Sequence, residues 1–255
     1  MVREIAKRIP PVAFAYRRTR GLVRYLSFLS DFERFKRLSE RGERFPLRWK
    51  DRKPCTGDGD SAHGFDRHYV YHPAWAARIL AETHPESHVD ISSTVTFSAM
   101  LSAFIPVHYC EYRSLDIKLS DLSVSAAGLP NLPFGDGEIA SLSCMHVIEH
   151  IGLGRYGDAL DPDGDLAAIA ELKRVLAVGG TLLLVVPIGR PRIEFNAHRV
   201  YSYEQVLGCF AELELKQFSL IPDSESDGGL IPFASKDLVD AQRYGCGCFW
   251  FVKNH

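Results

Sequence analysis

The sequence predicts a doubly wound α/β domain, and three observations carry that prediction. Short apolar strands alternate with amphipathic helices from residue 88 to residue 252, the pattern of parallel strands joined by crossovers. Residues 181–186 form a continuous apolar run, as a strand buried on both faces should. Residues 1–53 carry sixteen Lys/Arg and six Asp/Glu, a balance of +10 against −12 for the remainder, which sets a basic arm apart from an acidic domain.

A chain of 255 residues, 46% hydrophobic, holds one such domain and an appendage. The boundaries read from composition are a basic helical extension and linker over 1–60 and the α/β domain over 61–255. No apolar run approaches the roughly 20 residues that cross a bilayer. The apolar stretch 10–16 is closed at once by Arg17 and Arg18, a poor match to a secretion signal. Six cysteines without a C-x-x-C pair indicate neither a zinc knuckle nor a disulfide framework. A cytoplasmic protein with reduced thiols is expected, peripheral at the inner face of a membrane if the basic arm meets anionic lipid. Packing of the arm on an acidic protein surface is the equal alternative. Nucleic acid is not expected, since the arm shows no binding motif, and a homo-oligomer is compatible with the sequence.

Within the arm, Leu22, Tyr25, Leu26 and Leu29 lie at helical spacing over 12–29. Ser30-Asp31-Phe32-Glu33 reads as a capping box that opens a second helix to Ser39. Residues 41–61, broken by Pro46, Pro54, Gly57 and Gly59, read as a linker. Pro73 in a first turn opens a helix over 74–82 with Trp75 and Ile79 inward. Strands follow at 88–91, 107–112, 122–126, 139–144 and 181–186, with a helix at 95–104. A helix over 165–176 has Leu166, Ile169, Leu172, Val175 and Leu176 as its apolar stripe, and Gly179-Gly180 reads as its C-cap. A helix at 202–210 and strands at 213–221 and 247–252 complete the set.

Residues 132–188 read as turn, apolar strand, His-Glu-His cluster, helix, Gly-Gly break and apolar strand. This stretch resembles the later half of the class I S-adenosylmethionine-dependent methyltransferases. The phrases Glu149 to Asp158 (EHIGLGRYGD), Asp161 to Asp165 (DPDGD), Glu194 to Ser202 (EFNAHRVYS), Phe65-Asp66 and His68-Tyr69 resemble the DUF268 family across 65–253. The resemblance implies a Rossmann-like, mostly parallel seven-stranded sheet whose last strand inserts antiparallel, and S-adenosylmethionine as cofactor with S-adenosylhomocysteine as product.

Ligands of open α/β sheets bind outside the carboxyl ends of the strands. The resemblance places a cofactor site on Asp90, Ser92 and Ser93, with serines where the family has glycines. Small hydroxyl residues there could still let the backbone approach the ligand and hydrogen-bond its carboxylate. Glu111 lies 21 residues past Asp90, a spacing that suits an acid on both ribose hydroxyls; a surface Glu is the alternative, and Asp116 the competing acid. No acid precedes the Leu132-Pro133-Phe134 turn, so the backbone at Gly128 and Leu129 would read the adenine edge. Met145 and His146 would flank the adenosyl group.

Glu149 and His150 would stand at the rim of methyl transfer. His150 is a candidate base for a substrate hydroxyl or, alternatively, a hydrogen-bonder that holds the loop. His198 is the second candidate base. Arg155, Tyr156, Asn196 and Arg199 are the candidate acceptor-binding residues, with loop anchoring the alternative for Asn196, His198 and Arg199. His146, Glu149 and His150 also fit H-x-x-E-H, which on a helix would ligate zinc; the preceding strand and the glycines at 152 and 154 argue against that helix. Asp161, Asp163 and Asp165 read as a solvated helix N-terminus rather than a calcium loop, and no metal site is expected. The predicted activity is O-methylation of a sugar or glycan-type small molecule. A non-catalytic binding or scaffold protein is the alternative, and a zinc hydrolase the third reading.

Overall fold

The structure is a computed structural model that describes residues 10–39, 47–54, 65–113 and 115–254. The first nine residues of the arm, Cys55 and most of the predicted linker lie outside the described residues. The chain divides into two units, Met1–Gly64 and Phe65–His255.

In the larger unit the alternating pattern builds one eight-stranded sheet of order β3-β2-β1-β4-β5-β10-β8-β9. Strands β1 (His88–Ser92), β2 (Val107–Glu111), β3 (Leu122–Ala126), β4 (Ile139–Met145) and β5 (Leu176–Ile188) run parallel. Strand β10 (Gly245–Val252) inserts antiparallel between β5 and β8 (Glu214–Ile221), as the resemblance implies. The eighth strand is β9 (Ile231–Pro232), a two-residue edge on β8. A separate hairpin joins β6 (Arg192–Glu194) to β7 (His198–Val200).

The period-two alternation of β5 fixes two cores. Leu182, Leu184 and Val186 pack with Ile169 and Leu172 of α4 (Gly164–Val175) and Val206 of α5 (Tyr203–Cys209). Leu183 and Val185 pack on the other face with Trp75 and Ile79 of α2 (Arg67–Thr83) and Phe97 and Leu101 of α3 (Val95–Leu101). A sixth short helix, α6 (Lys236–Asp240), lies in the excursion between β9 and β10. No helix among the described residues is long and apolar enough to cross a membrane.

Four local expectations are corrected. Residues 10–39 of the arm form one continuous helix, α1 (Pro10–Ser39), which runs through Ser30 instead of being capped there. Its aromatic stripe explains the continuity: Tyr25, Phe28 and Phe32 follow one another at 6.1 and 6.4 Å, and Phe32 packs edge-on against Trp49 at 5.0 Å. Helix α2 begins at Arg67, with Asp66 accepting from the Tyr69 amide at 3.3 Å, so Pro73 sits inside the helix rather than opening it. Leu166 is exposed and outside the apolar stripe of α4.

Gly179-Gly180 does not cap α4. The helix stops at Val175, and β5 begins at once. The Lys253 ammonium, reaching from beyond β10, donates to the carbonyls of Lys173 and Leu176 at 2.9 and 2.8 Å. The glycines instead lie inside β5, where its register on β4 shifts between Ile139 and Ser141. Gly179 takes a left-handed φ of +77°, and a Cβ on Gly180 would stand 2.7 Å from the Ala177 carbonyl oxygen. Gly179→Ala should cost about 1 kcal/mol for the backbone alone, and Gly180→Ala about 3 kcal/mol for overlap with main chain. Urea midpoints check the order, and equal losses would contradict this account of the bulge.

Candidate functional site

The parallel strands grow outward from β1 in one direction through β2 and β3, and from β4 in the other through β5. Side chains past the carboxyl ends of β1 and β4 diverge at such a reversal and leave a crevice. A cleft of about 910 Å³, its open mouth included, occupies that place. Its wall is built from Ile91 to Ser93 at the end of β1, Cys110 to Arg113 at the end of β2, and Ala127 to Leu129 after β3. His146, Val147, His150 and Ile151 follow β4, and Tyr156 and Asp158 come from the next loop.

Seven predicted residues thus share one cleft besides Tyr156: Ser92, Ser93, Glu111, Gly128, Leu129, His146 and His150. Glu111 is half-buried, and its Oε2 accepts from the Tyr109 hydroxyl at 3.1 Å. Tyr109 also donates to the Ser92 carbonyl at 2.8 Å, so one phenol ties the end of β1 to the acid on β2. Burial first, and then Glu111, push that phenol's pKa up and keep it a donor.

Asp90 is not part of the cleft wall. It is wholly buried, and its carboxylate accepts from the hydroxyls of Ser92, Ser98 and Ser143, the last at 2.6 Å. The Ser92 side chain is therefore turned into the sheet, and no ligand carboxylate can claim its proton while Asp90 holds it. The Ser93 hydroxyl meets the Tyr69 hydroxyl at 3.2 Å. The network continues to His88, whose two nitrogens lie 2.8 Å from the hydroxyls of Ser141 and Ser143. Burial lowers the His88 pKa to about 3. Burial also raises Asp90 to about 6, against the pull of its three serines.

Met145 is likewise corrected: it is fully buried in the core beneath α2 and α3, not beside the cleft. His146 takes a left-handed φ of +57°, rare for a residue with a Cβ, and its Nδ1 lies 2.9 Å from Glu149 Oε1. Glu149 is buried, its Oε1 is also 3.8 Å from His150 Nε2, and its Oε2 has no hydrogen-bond partner among the described residues. The segment is a 3-10 turn, Ile148–His150, so the helical H-x-x-E-H geometry is absent.

His150 Nδ1 lies 2.6 Å from the Ala197 carbonyl, which also accepts from Arg155 at 3.1 Å. Because a carbonyl only accepts, the proton sits on Nδ1 and Nε2 carries the lone pair. The Arg155 guanidinium lies 5.1 Å over the ring of Tyr156, which meets His150 edge-on at 5.7 Å. His198 is not in the cleft wall; its Nε2 lies 3.3 Å from Glu194 Oε2 and its ring 4.9 Å from Tyr244. Burial lowers its pKa, with Glu194 opposing. Asn196 is exposed in the β6–β7 turn and also outside the wall.

Arg199 is buried and committed. It donates to the carbonyls of Ile151, Asp161 and Pro162 at 2.6, 3.3 and 3.0 Å and pairs with Asp165 at 3.4 Å. Its burial and these four contacts commit the guanidinium to the loop, so loop anchoring replaces the acceptor-binding expectation. Asp165 is accordingly buried rather than a solvated helix end, and it also accepts from Tyr201 at 2.8 Å. Asp158 accepts from the amides of Gly152, Gly154 and Tyr156 at 2.7, 3.2 and 3.2 Å. Burial opposes its ionisation, yet those amides outweigh it and hold the carboxyl below its ordinary range. Sequence reasoning missed Tyr109, Tyr112, Arg113 and Asp158. The first three flank Glu111 in the chain, and that adjacency was the available signal.

Asp90 generates a pH test. Its folded pKa, about 6, exceeds the ordinary 3.8, so its contribution is fully present below pH 3.8 and lost as pH rises through 6. The stability of the wild type relative to Asp90→Asn should fall by roughly 3 kcal/mol between about pH 4 and 7. His88 is present in both proteins, and its shift is caused by burial. Denaturant unfolding across that range checks it; a pH-independent difference would contradict the buried carboxylate.

Residues 137–217 match the family model described as Caenorhabditis protein of unknown function, DUF268. No curated protein matches the sequence. Among solved structures, a Bacillus halodurans C-125 protein assigned as a methyltransferase is similar at TM-score 0.52 and 15% identity, covering 72% of this chain and 99% of that one. A Galdieria sulphuraria protein assigned as a sarcosine dimethylglycine methyltransferase matches at 0.51 and 14%, over 71% and 85%. Geranyl diphosphate methyltransferase in complex with S-adenosylmethionine matches at 0.50 and 11%, over 71% and 85%. At these identities the likeness is one of fold: the chain has the Rossmann-like fold of the class I S-adenosylmethionine-dependent methyltransferases, and its DUF268 match lies in the half that carries the His-Glu-His turn.

Proposed function

We propose that the protein transfers a methyl group from S-adenosylmethionine to a hydroxyl of a sugar or glycan-type small molecule. The observation that carries the reading is the Glu111 carboxylate in the wall of the cleft at the sheet's reversal point. The wall suits the cofactor in kind. Glu111 can accept from two ribose hydroxyls. Ile91, Leu129, Val147 and Ile151 offer apolar surface to a purine. The backbone from Ala127 to Leu129 must read the adenine edge, because no acid stands there.

Bound S-adenosylmethionine would supply an electrophilic methyl carbon on a sulfonium, leaving as S-adenosylhomocysteine. The remaining work falls to positioning. Tyr156 and Arg155 flank the acceptor beside His150. The Nε2 lone pair of His150 takes the hydroxyl proton, and a Glu149 carboxylate oxygen lies 3.8 Å from that nitrogen. A non-catalytic scaffold remains the second reading, favoured by the commitment of the Ser92 hydroxyl to Asp90.

Calorimetry should find S-adenosylhomocysteine bound by the wild type and roughly 100-fold weaker binding in Glu111→Ala, the loss of two charge-assisted hydrogen bonds. His150→Gln should keep that affinity and lose roughly 10²–10⁴-fold in turnover on a sugar-acceptor panel. Absence of binding to the wild type would defeat the reading; binding without turnover would favour the scaffold.

For the basic arm we propose an anionic membrane surface as the partner. Helix α1 exposes Leu22, Val23 and Leu26 within a segment of net charge +10 over residues 1–53. Full-length protein should sediment with phosphatidylserine-containing vesicles at low salt and deletion of residues 1–53 should abolish it; unchanged sedimentation would sink the idea.

A further inference from the structure

Beneath the cleft, three elements bring together two histidines and a cysteine, of which only His146 also lines the cleft. His68 lies in the first turn of α2, His146 just past β4, and Cys246 in β10. One ligand atom from each lies within 4.8 Å of the others. We infer that His68, His146 and Cys246 form a binding site for a borderline divalent transition cation of the zinc type.

The second coordination layer is already present. A carboxylate accepts from His146 Nδ1 at 2.9 Å, which leaves the lone pair on Nε2. Metal-bound histidines are oriented in this way by a carboxylate on their other nitrogen. That Nε2 lies 3.6 Å from Cys246 Sγ. Zinc bonds of about 2.0 Å to nitrogen and 2.3 Å to sulfur, at a tetrahedral angle, separate the two atoms by about 3.5 Å. The pair therefore stands at ligand spacing without moving. His68 is half-buried, and one of its ring nitrogens lies within 4.8 Å of the other two ligand atoms.

Two unpartnered atoms mark the same spot. His72 follows His68 by one helical turn, and its Nδ1 lies 2.6 Å from the His68 carbonyl. Its Nε2 is buried and has no hydrogen-bond partner among the described residues, and its ring is 5.1 Å from that of His146. Glu149 Oε2 is buried and unpartnered as well. Such groups are costly to bury unless something balances them. A cation at the cluster balances the Glu149 charge, with His72 Nε2 beside the ligand set rather than in it: the cation takes one thiolate and two imidazole lone pairs, the thiol proton leaves to solvent, and the thiolate with Glu149 neutralises the two positive charges. The helical H-x-x-E-H arrangement is not involved, since His150 is not among the three ligands.

The site is independent of the methyltransferase reading, and Co²⁺ tests it on the full-length, chelator-treated protein. One equivalent should give thiolate-to-cobalt charge-transfer absorption in the near ultraviolet, bleached by one equivalent of Zn²⁺. Cys246→Ser should abolish the band, and Glu149→Gln should weaken Co²⁺ binding by roughly 10–100-fold. Absence of the band in folded wild type, or its persistence in Cys246→Ser, would overturn the assignment. If Cys246→Ser does not fold, His68→Ala at the half-buried position decides: affinity at least about tenfold lower supports the site, and unchanged affinity rejects it. Titration of the same metal-free protein with S-adenosylhomocysteine reads the cleft separately.

Discussion

A carboxylate with no exposed surface sits where the sheet reverses its direction of growth, and three serine hydroxyls hold it. Asp90 is on β1, Ser92 at that strand's end, Ser98 on α3 and Ser143 on β4. The hydrogen bonds thus pin both strands of the reversal point and the helix that follows it. Burying a charge demands such compensation, and the elevated pKa says the compensation is incomplete. The lip of the cleft is built on this arrangement: Ser92 shows its carbonyl to Tyr109, and Tyr109 carries the link to Glu111.

The far lip rests on a different device. The acidic and glycine-rich segment from Gly152 to Asp165 looks in sequence like a polar surface loop, and its charges look available. In the structure Asp158 and Asp165 are engaged within the protein, while Asp161 and Asp163 stay exposed. Asp158 gathers three amides, and Arg199 gathers three carbonyls and Asp165. Gly152 runs at a φ of +82° against the Asp161 main chain, where a Cβ would not fit. This rigid loop positions His150 and Tyr156, while Ala197 from the opposite hairpin fixes the His150 tautomer.

Local signals made much of this legible. Strand β3 has the bounds that its sequence predicts, and the other parallel strands differ chiefly at their ends, because apolar periodicity tracks burial directly. Glu111 was legible from spacing to β1, since the length of a β-α-β unit is nearly fixed. Partners distant in sequence were not. Arg199 and Asp165 are 34 positions apart, and nothing local says that they pair in the interior. Pro73 read as a helix start because its ring suits a first turn; the actual start at Arg67 rests on the Asp66 cap. That misplacement also hid His68 and His72, which show their one-turn spacing only once the helix reaches back to include them.

The serines where the resembling family has glycines follow from the same buried carboxylate. Glycine helps a ligand by removing a side chain from the backbone it approaches. At Ser92 the side chain is removed from the cleft by another means: its hydroxyl is drawn inward to Asp90, so that the main chain is what the residue presents outward. A glycine there would clear the cleft equally but leave the wholly buried Asp90 one donor short, and an unmet charge in the interior costs more than a neutral one. The glycine-poor loop and the wholly buried acid therefore belong together. Substitution of Ser92 acts on the charge of Asp90 before it acts on any ligand.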